Sequence, residues 1–273
     1  MKRLFPLLAL AALASTLAAC GGGGGGSDNT TSTQASSVPN PIVFCVDTTY
    51  PPAESIVNGK PAGYDIDIAN AIAKQLGSTA QIKVTGFTVI IPALKQKKCN
   101  AIISSMTITP ERSKQVHFSP YLDVGTFLMV KKGNPSHVTD VASLSGKAAA
   151  VESSTTQLDA LEAENKVLKK QGKPLITIKS YPADTSAAAA IQAGKVDAYL
   201  ADATPVLYYI RTTGGKFQTA GKQVGIAPEG VATRLGDPLG KQINNAIQAL
   251  YLNGKMKSIL AKWQASQFAL KNQ

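Results

Sequence analysis

Ser104-Ser105-Met106-Thr107-Ile108-Thr109-Pro110-Glu111-Arg112 is the stretch on which the reading of this 273-residue chain turns. Thr109, Pro110 and Glu111 spell an N-cap, a first-turn proline and a first-turn acid, so a helix starts there with free backbone N–H groups nearby. Arg112 falls in that first turn, where its planar fork can grip a carboxylate through two parallel hydrogen bonds. Just upstream, Ala101 to Ser104 reads as a strand. The hydroxyl-rich segment therefore joins a strand end to a helix start, the place where open α/β sheets hold ligands.

The same strand-to-helix grammar extends in both directions. Ile42 to Val46 is a short, branched apolar run that reads as a buried strand, and Ile82 to Val84 as another. Asp65 to Leu76 places Ile68, Ala69, Ile72, Ala73 and Leu76 on one face, with Asp65 as N-cap and Gly77 as the stop, so an amphipathic helix is expected there. A further helix is expected around Ile91 to Lys98. Beyond residue 145 the alternation returns: a strand at Ala148 to Val151, a helix over Thr156 to Lys170, a strand at Ile176 to Ile178, a helix over Thr185 to Ala193 and a strand at Val196 to Ala201. Gly240 to Trp263 reads as two helices broken at Asn253-Gly254. The expected fold class is α/β, with two mostly parallel sheets flanked by helices. Crossings near Phe127 to Gly133 and Pro228 to Arg234 would make a two-lobed molecule with one cleft, lobe 1 comprising residues 41–128 and 231–273 and lobe 2 residues 129–230.

Two other segments end at that cleft. Asp47-Thr48-Thr49-Tyr50-Pro51-Pro52 follows the first strand, and Glu152-Ser153-Ser154-Thr155-Thr156-Gln157 joins a strand to a helix whose N-terminal amides suit an anion.

The chain begins as an export signal. Lys2 and Arg3 precede an apolar run from Leu4 to Leu13, and Leu17-Ala18-Ala19-Cys20 closes residues 1–20 as a signal peptide whose terminal tetrad is similar to a lipobox, making Cys20 the expected lipidation site. Residues 21–40, with six glycines followed by Ser, Thr and Asn, have no apolar surface to bury and form a flexible linker reaching about 25 Å. The protein is thus expected on the outer, periplasmic or cell-surface face of a membrane, tethered by a lipid and not embedded.

Loss of Lys2 and Arg3 with the signal leaves 26 basic against 17 acidic side chains. Lys95, Lys97, Lys98, Lys131, Lys132, Lys169 and Lys170 stand in separate groups with no aromatic between them, which argues for a solvated surface and against a nucleic-acid partner. The only histidines, His117 and His137, lack metal-ligand spacing, so no metal and no cofactor is expected. No G-x-S-x-G, phosphate-binding loop or H-E-x-x-H motif occurs, so an enzyme is not expected either. Cys45 and Cys99 permit a disulfide in an oxidising compartment, while a parallel register that sets Cys99 several residues below Cys45 strains the Cα separation such a bridge tolerates.

Taken together, these segments resemble the amino-acid-binding branch of the bacterial solute-binding proteins, family 3. The resemblance runs from Ile42 to Trp263 through Gly63-Tyr64-Asp65-Ile66-Asp67-Ile68-Ala69, Ile91-Pro92-Ala93-Leu94, Val196-Asp197-Ala198 and Ile259-Leu260-Ala261-Lys262-Trp263. It implies a type II periplasmic-binding fold, an amino-acid ligand, the permease subunits of an ABC importer as partner, and a monomer. It also implies roles. Arg112 would clamp the ligand α-carboxylate with Ser105, Thr107 and Thr156, and Asp202 would take the α-amino group. Asp47, Tyr50, Phe87 and Glu152 would surround the side chain, and Ser104, Met106 and Thr155 would complete the site. Departures from the family pattern are Ala53 where an aromatic is common, Ser154 where glycine is common, and Asn100 in place of a frequent aspartate. Asp47 and Glu152 facing one pocket favour a basic side chain, ahead of neutral polar ones such as glutamine or cystine, with acidic ones last. Cyclohexadienyl-dehydratase-like catalysis and ligand presentation to a receptor are the competing readings of the same fold.

Overall fold

The computed structural model describes residues 38–271; the signal peptide, Cys20 and residues 21–37 of the linker lie outside the described residues. Among the described residues ten strands and eight helices follow one another. In the first half β1 (Ile42–Val46), β4 (Ala80–Val84) and β5 (Ala101–Ile102) lie parallel, with a small hairpin of β2 (Ser55–Val57) and β3 (Lys60–Ala62) beside them. In the second half β7 (Ala148–Glu152), β8 (Thr177–Tyr181) and β9 (Ala198–Asp202) do the same. Two long antiparallel strands, β6 (Val116–Lys131) and β10 (Phe217–Arg234), run through both halves and fuse them into one eight-stranded sheet of order β4-β1-β5-β10-β6-β9-β7-β8.

That fusion departs from the expectation of two sheets joined by short crossings. Pairing of β6 with β10 slips between Ala220 and Ala227 and again at Glu229/Gly230. Pro120 occupies the second slip, opposite Gly230, where its missing N–H costs the ladder nothing.

Side-chain alternation divides each half-sheet between two helical layers. Ile42, Phe44 and Val46 of β1 pack with α1 (Tyr64–Gln75), α7 (Leu239–Leu252) and α8 (Lys255–Lys262), while Cys45 faces Ile90 and Leu94 of α2 (Phe87–Lys95). In the second half Ala149, Val151 and Leu200 meet α4 (Thr156–Lys170), and Ala150, Tyr199 and Ala201 meet α5 (Asp184–Gln192) and α6 (Ala203–Thr212). The last helices return to the first half, where Trp263 Nε1 and Lys262 Nζ both reach Asp67 Oδ2 of α1, at 2.8 and 2.7 Å.

Two local expectations need correction, and one pairing left open by the sequence is decided. Helix α1 is capped by Gly63, not Asp65; a Cβ on Gly63 (φ 148°) would sit 1.9 Å from the Ala53 carbonyl oxygen, so only glycine permits that approach. Helix α2 begins at Phe87 and carries Pro92 in its interior; the Asp47 carboxylate, just past the end of β1, fixes its start by accepting the Phe87 N–H at 2.7 Å. Cys45 and Cys99 form a disulfide with Cα atoms 5.7 Å apart. Asn100 N donates to Val43 O and Asn100 Oδ1 accepts from Val43 N, which folds the chain over β1 before β5 begins, so Cys99 does not lie along the strand axis.

Candidate ligand-binding site

The C-terminal ends of β1, β5, β7 and β9 converge on one cleft. Asp47 follows β1; its N–H donates to Ser104 Oγ at 3.0 Å, and its carboxylate accepts from Thr49 N and Phe87 N. The Ser104 hydroxyl in turn donates to Glu54 Oε1 at 2.8 Å. Thr109 caps α3 (Pro110–Ser113) as read, accepting from Arg112 N at 3.2 Å. That cap aims the Arg112 guanidinium across the cleft, where Nη1 donates to Thr107 O at 2.8 Å, Nη2 donates to Ser154 O at 3.0 Å, and the group lies 5.4 Å from the Phe87 ring centre. Ser154 adopts φ 65°, the left-handed conformation glycine serves in the family pattern.

Thr155 caps α4, accepting from Leu158 N and donating to Glu152 O. Asp202 ends β9 at the N-cap position of α6, yet its side chain makes no cap bond. It accepts instead from Tyr50 Oη at 2.8 Å and from Gln157 Nε2 at 2.6 Å. The Tyr50–Asp202 and Arg112–Ser154 bonds both tie the first half to the second.

Asp47, Tyr50, Phe87, Ser104, Ser105, Thr107, Arg112, Glu152, Thr155, Thr156 and Asp202 thus share one cavity wall. Met106 does not. Its side chain is 1% exposed and packs with Cys45, Leu94, Cys99 and Ile102, while Ser105, at φ 39° in the bend that follows β5, lines the cleft. Glu54 and Gln157 line the cleft without having been singled out from sequence. Glu54 follows the Pro51-Pro52 turn, two residues past the first loop as read, and Gln157, the second residue of α4, closes the other loop segment already read as ending at the cleft.

The electrostatics are lopsided. Among the described residues lining the cleft, Asp47, Glu54, Glu152 and Asp202 supply carboxyls and Arg112 supplies the guanidinium. Burial first, then Asp184, Asp47 and Asp202, push Glu152 up to about 10. Burial raises Asp202 to about 6 against the pull of Tyr50, Arg112 and Gln157. Glu54 is held well above the usual carboxylate range, by burial and then by Asp65. Burial lowers Arg112, with Asp202 opposing. An acid-rich cavity closed by one guanidinium is suited to a small molecule carrying one carboxylate and more than one positive charge.

A cleft at the strand ends of two α/β halves spanned by paired long strands is the geometry of a protein that binds a small molecule. Residues 42–266 match the family described as bacterial extracellular solute-binding proteins, family 3, and the chain belongs to that family. It is 31% identical to ABC transporter arginine-binding protein 1 of Escherichia coli (strain K12), over 85% of this chain and 93% of that one. Among solved structures it is similar to an ancestral arginine-binding protein bound to arginine (TM-score 0.76, 34% identity, 82% of this chain and 98% of that one). It is also similar to the ancestral amino acid-binding protein AncCDT-1, a precursor of cyclohexadienyl dehydratase (TM-score 0.73, 31% identity, 82% and 95%). The fold is that of the type II periplasmic binding proteins.

Proposed function

We propose that the protein captures a cationic amino acid outside the cytoplasm, closing residues 41–128 with 231–273 against residues 129–230, and delivers it to the permease of an ABC importer. The carrying observation is the wall of four carboxyls against one guanidinium. In this reading Arg112, whose fork keeps three N–H groups beyond the two used on Thr107 and Ser154, holds the α-carboxylate with Ser105, Thr107 and Thr156. Asp202 holds the α-ammonium. Tyr50 and Phe87 cover the side chain, and Glu152 and Asp47 meet its charge. The arginine-binding relatives support this ligand class, and their roles as binding proteins support capture over catalysis.

A thermal-shift screen of the twenty amino acids, ornithine and cystine reads the ligand class directly, since a ligand at a hundred times its Kd adds about 2.7 kcal/mol. Arginine, lysine, ornithine or histidine should give the largest shift. A largest shift from glutamate or aspartate would refute the assignment of the acid wall.

We further propose that the mature chain starts at an S-lipidated Cys20 and stands off the membrane on residues 21–40. The motif Leu17-Ala18-Ala19-Cys20 supports this. Mass spectrometry of membrane-extracted protein should find a diacylglyceryl adduct at Cys20, and Cys20→Ser should release the protein; an unmodified N-terminus elsewhere overturns it.

A further inference from the structure

The acid wall has a second layer. Behind Glu152 stands Asp184, the first residue of α5, with no exposed surface. Tyr199 of β9 donates its hydroxyl to Asp184 Oδ1, and Tyr209 of α6 donates to Oδ2 at 3.2 Å. The Asp184 N–H donates to Thr49 Oγ1 at 3.2 Å, and its nearness to the Glu152 carboxyl opposes that group's upward shift. Among the described residues the ion pairs are Arg234–Asp237 and Lys262–Asp67, so Asp184 is satisfied by phenols and not by a cation. Burying a carboxyl in that way is costly, and its neighbour in the cleft is another acid.

The charged and titratable groups facing Glu152 come from every side: Asp184 of α5, Asp47 after β1, Asp202 and Tyr199 of β9, and Tyr209 of α6, with Arg112 beyond Asp202. Burial and then the Asp184 charge lift Glu152 to about 10, while burial raises Asp184 itself to about 7 against the pull of its two phenols. At neutral pH Glu152 therefore holds its proton.

We propose that Asp184 is a positioning residue that keeps Glu152 protonated until a cationic side chain enters, and that capture of the cation expels the Glu152 proton to solvent. The proposal rests on the cleft taking a cationic amino acid. In the step the Glu152 O–H bond breaks, its electron pair stays on the carboxyl oxygen, and the proton passes to buffer as the ligand cation replaces it. A neutral side chain moves no proton, because the protonated carboxyl serves it as a hydrogen-bond donor. The free protein holds more protons than the complex, so affinity for the cation rises with pH, approaching tenfold per unit while one proton leaves.

Calorimetry at one pH in buffers of different ionisation enthalpy counts that proton. Arginine is the probe, since its guanidinium stays charged throughout. The wild type should release about one proton per arginine near pH 7.5. In Asp184→Asn the release should fade at a lower pH, because burial persists but the neighbouring charge is gone. Glu152→Gln should release none. Tight arginine binding with no proton exchanged, or an unchanged pH profile in Asp184→Asn, overturns this proposal and leaves the cationic-ligand reading standing. Failure of every cationic amino acid to bind overturns both. Should Asp184→Asn not fold, the wild-type count against Glu152→Gln decides.

Discussion

Arg112→Ala is expected to weaken amino-acid binding by about 30-fold to several-thousand-fold, the equivalent of about 2 to 5 kcal/mol for stripping a desolvated charge of its partner. Two losses combine. The ligand carboxylate forfeits its planar fork, and the bond from Nη2 to Ser154 O, which ties the two halves together, disappears. Arg112→Lys separates geometry from charge: an ammonium keeps the sign but cannot present two parallel donors, so it should recover little of the lost affinity. Calorimetry on the variants with the ligand found by the screen measures this, and near-native affinity in Arg112→Ala would remove the residue from the site.

Removing the disulfide, as Cys45→Ala with Cys99→Ala, is expected to cost about 4 kcal/mol, since the bridge closes a long loop in the unfolded chain. The two cysteines are separated by 54 positions. For a domain of this size that lowers the unfolding temperature by about 10 °C. The effect should also reach the ligand. Cys99 and Cys45 pack against Ile90 and Leu94 of α2, and Phe87 at the head of that helix lies under the Arg112 guanidinium. Scanning calorimetry of the double variant provides the check, alongside thiol counting on the denatured, unreduced mature protein, which should find neither cysteine free. An unchanged unfolding temperature would contradict the ledger.

What the sequence discloses here is local. The strand at Ile42 to Val46, the helix over Thr156 to Lys170 and the pair of helices broken at Asn253-Gly254 emerge where they were read, because their boundaries are written in caps, stops and periodicity. Helix α2 was misjudged because its cap, Asp47, belongs to another element. The continuous β6–β10 ribbon was missed because Pro120, Gly125 and Gly230 punctuate it like loop residues while the partner strand supplies the order. Asp184 shows the limit most plainly. Read alone, it is an unremarkable first-turn helix acid; only the folded chain brings Tyr199, Tyr209 and Glu152 around it. Met106 marks the opposite error, a residue admitted to the site by proximity in sequence and excluded by its burial in the core.

The way β6 and β10 thread both halves also dictates the order in which the chain can be completed. Phe217 pairs with Lys131, so everything between them is a contiguous excursion that begins and ends at neighbouring points. Its strands, from Ala148 to Asp202, can find each other as soon as they have emerged. The other half waits for the tail: Ala232 must reach Ile102, and Trp263 must reach Asp67, before its sheet and helical layer are whole. As the chain emerges, the inserted half has the means to form first, while the other half stays open until its last helices follow.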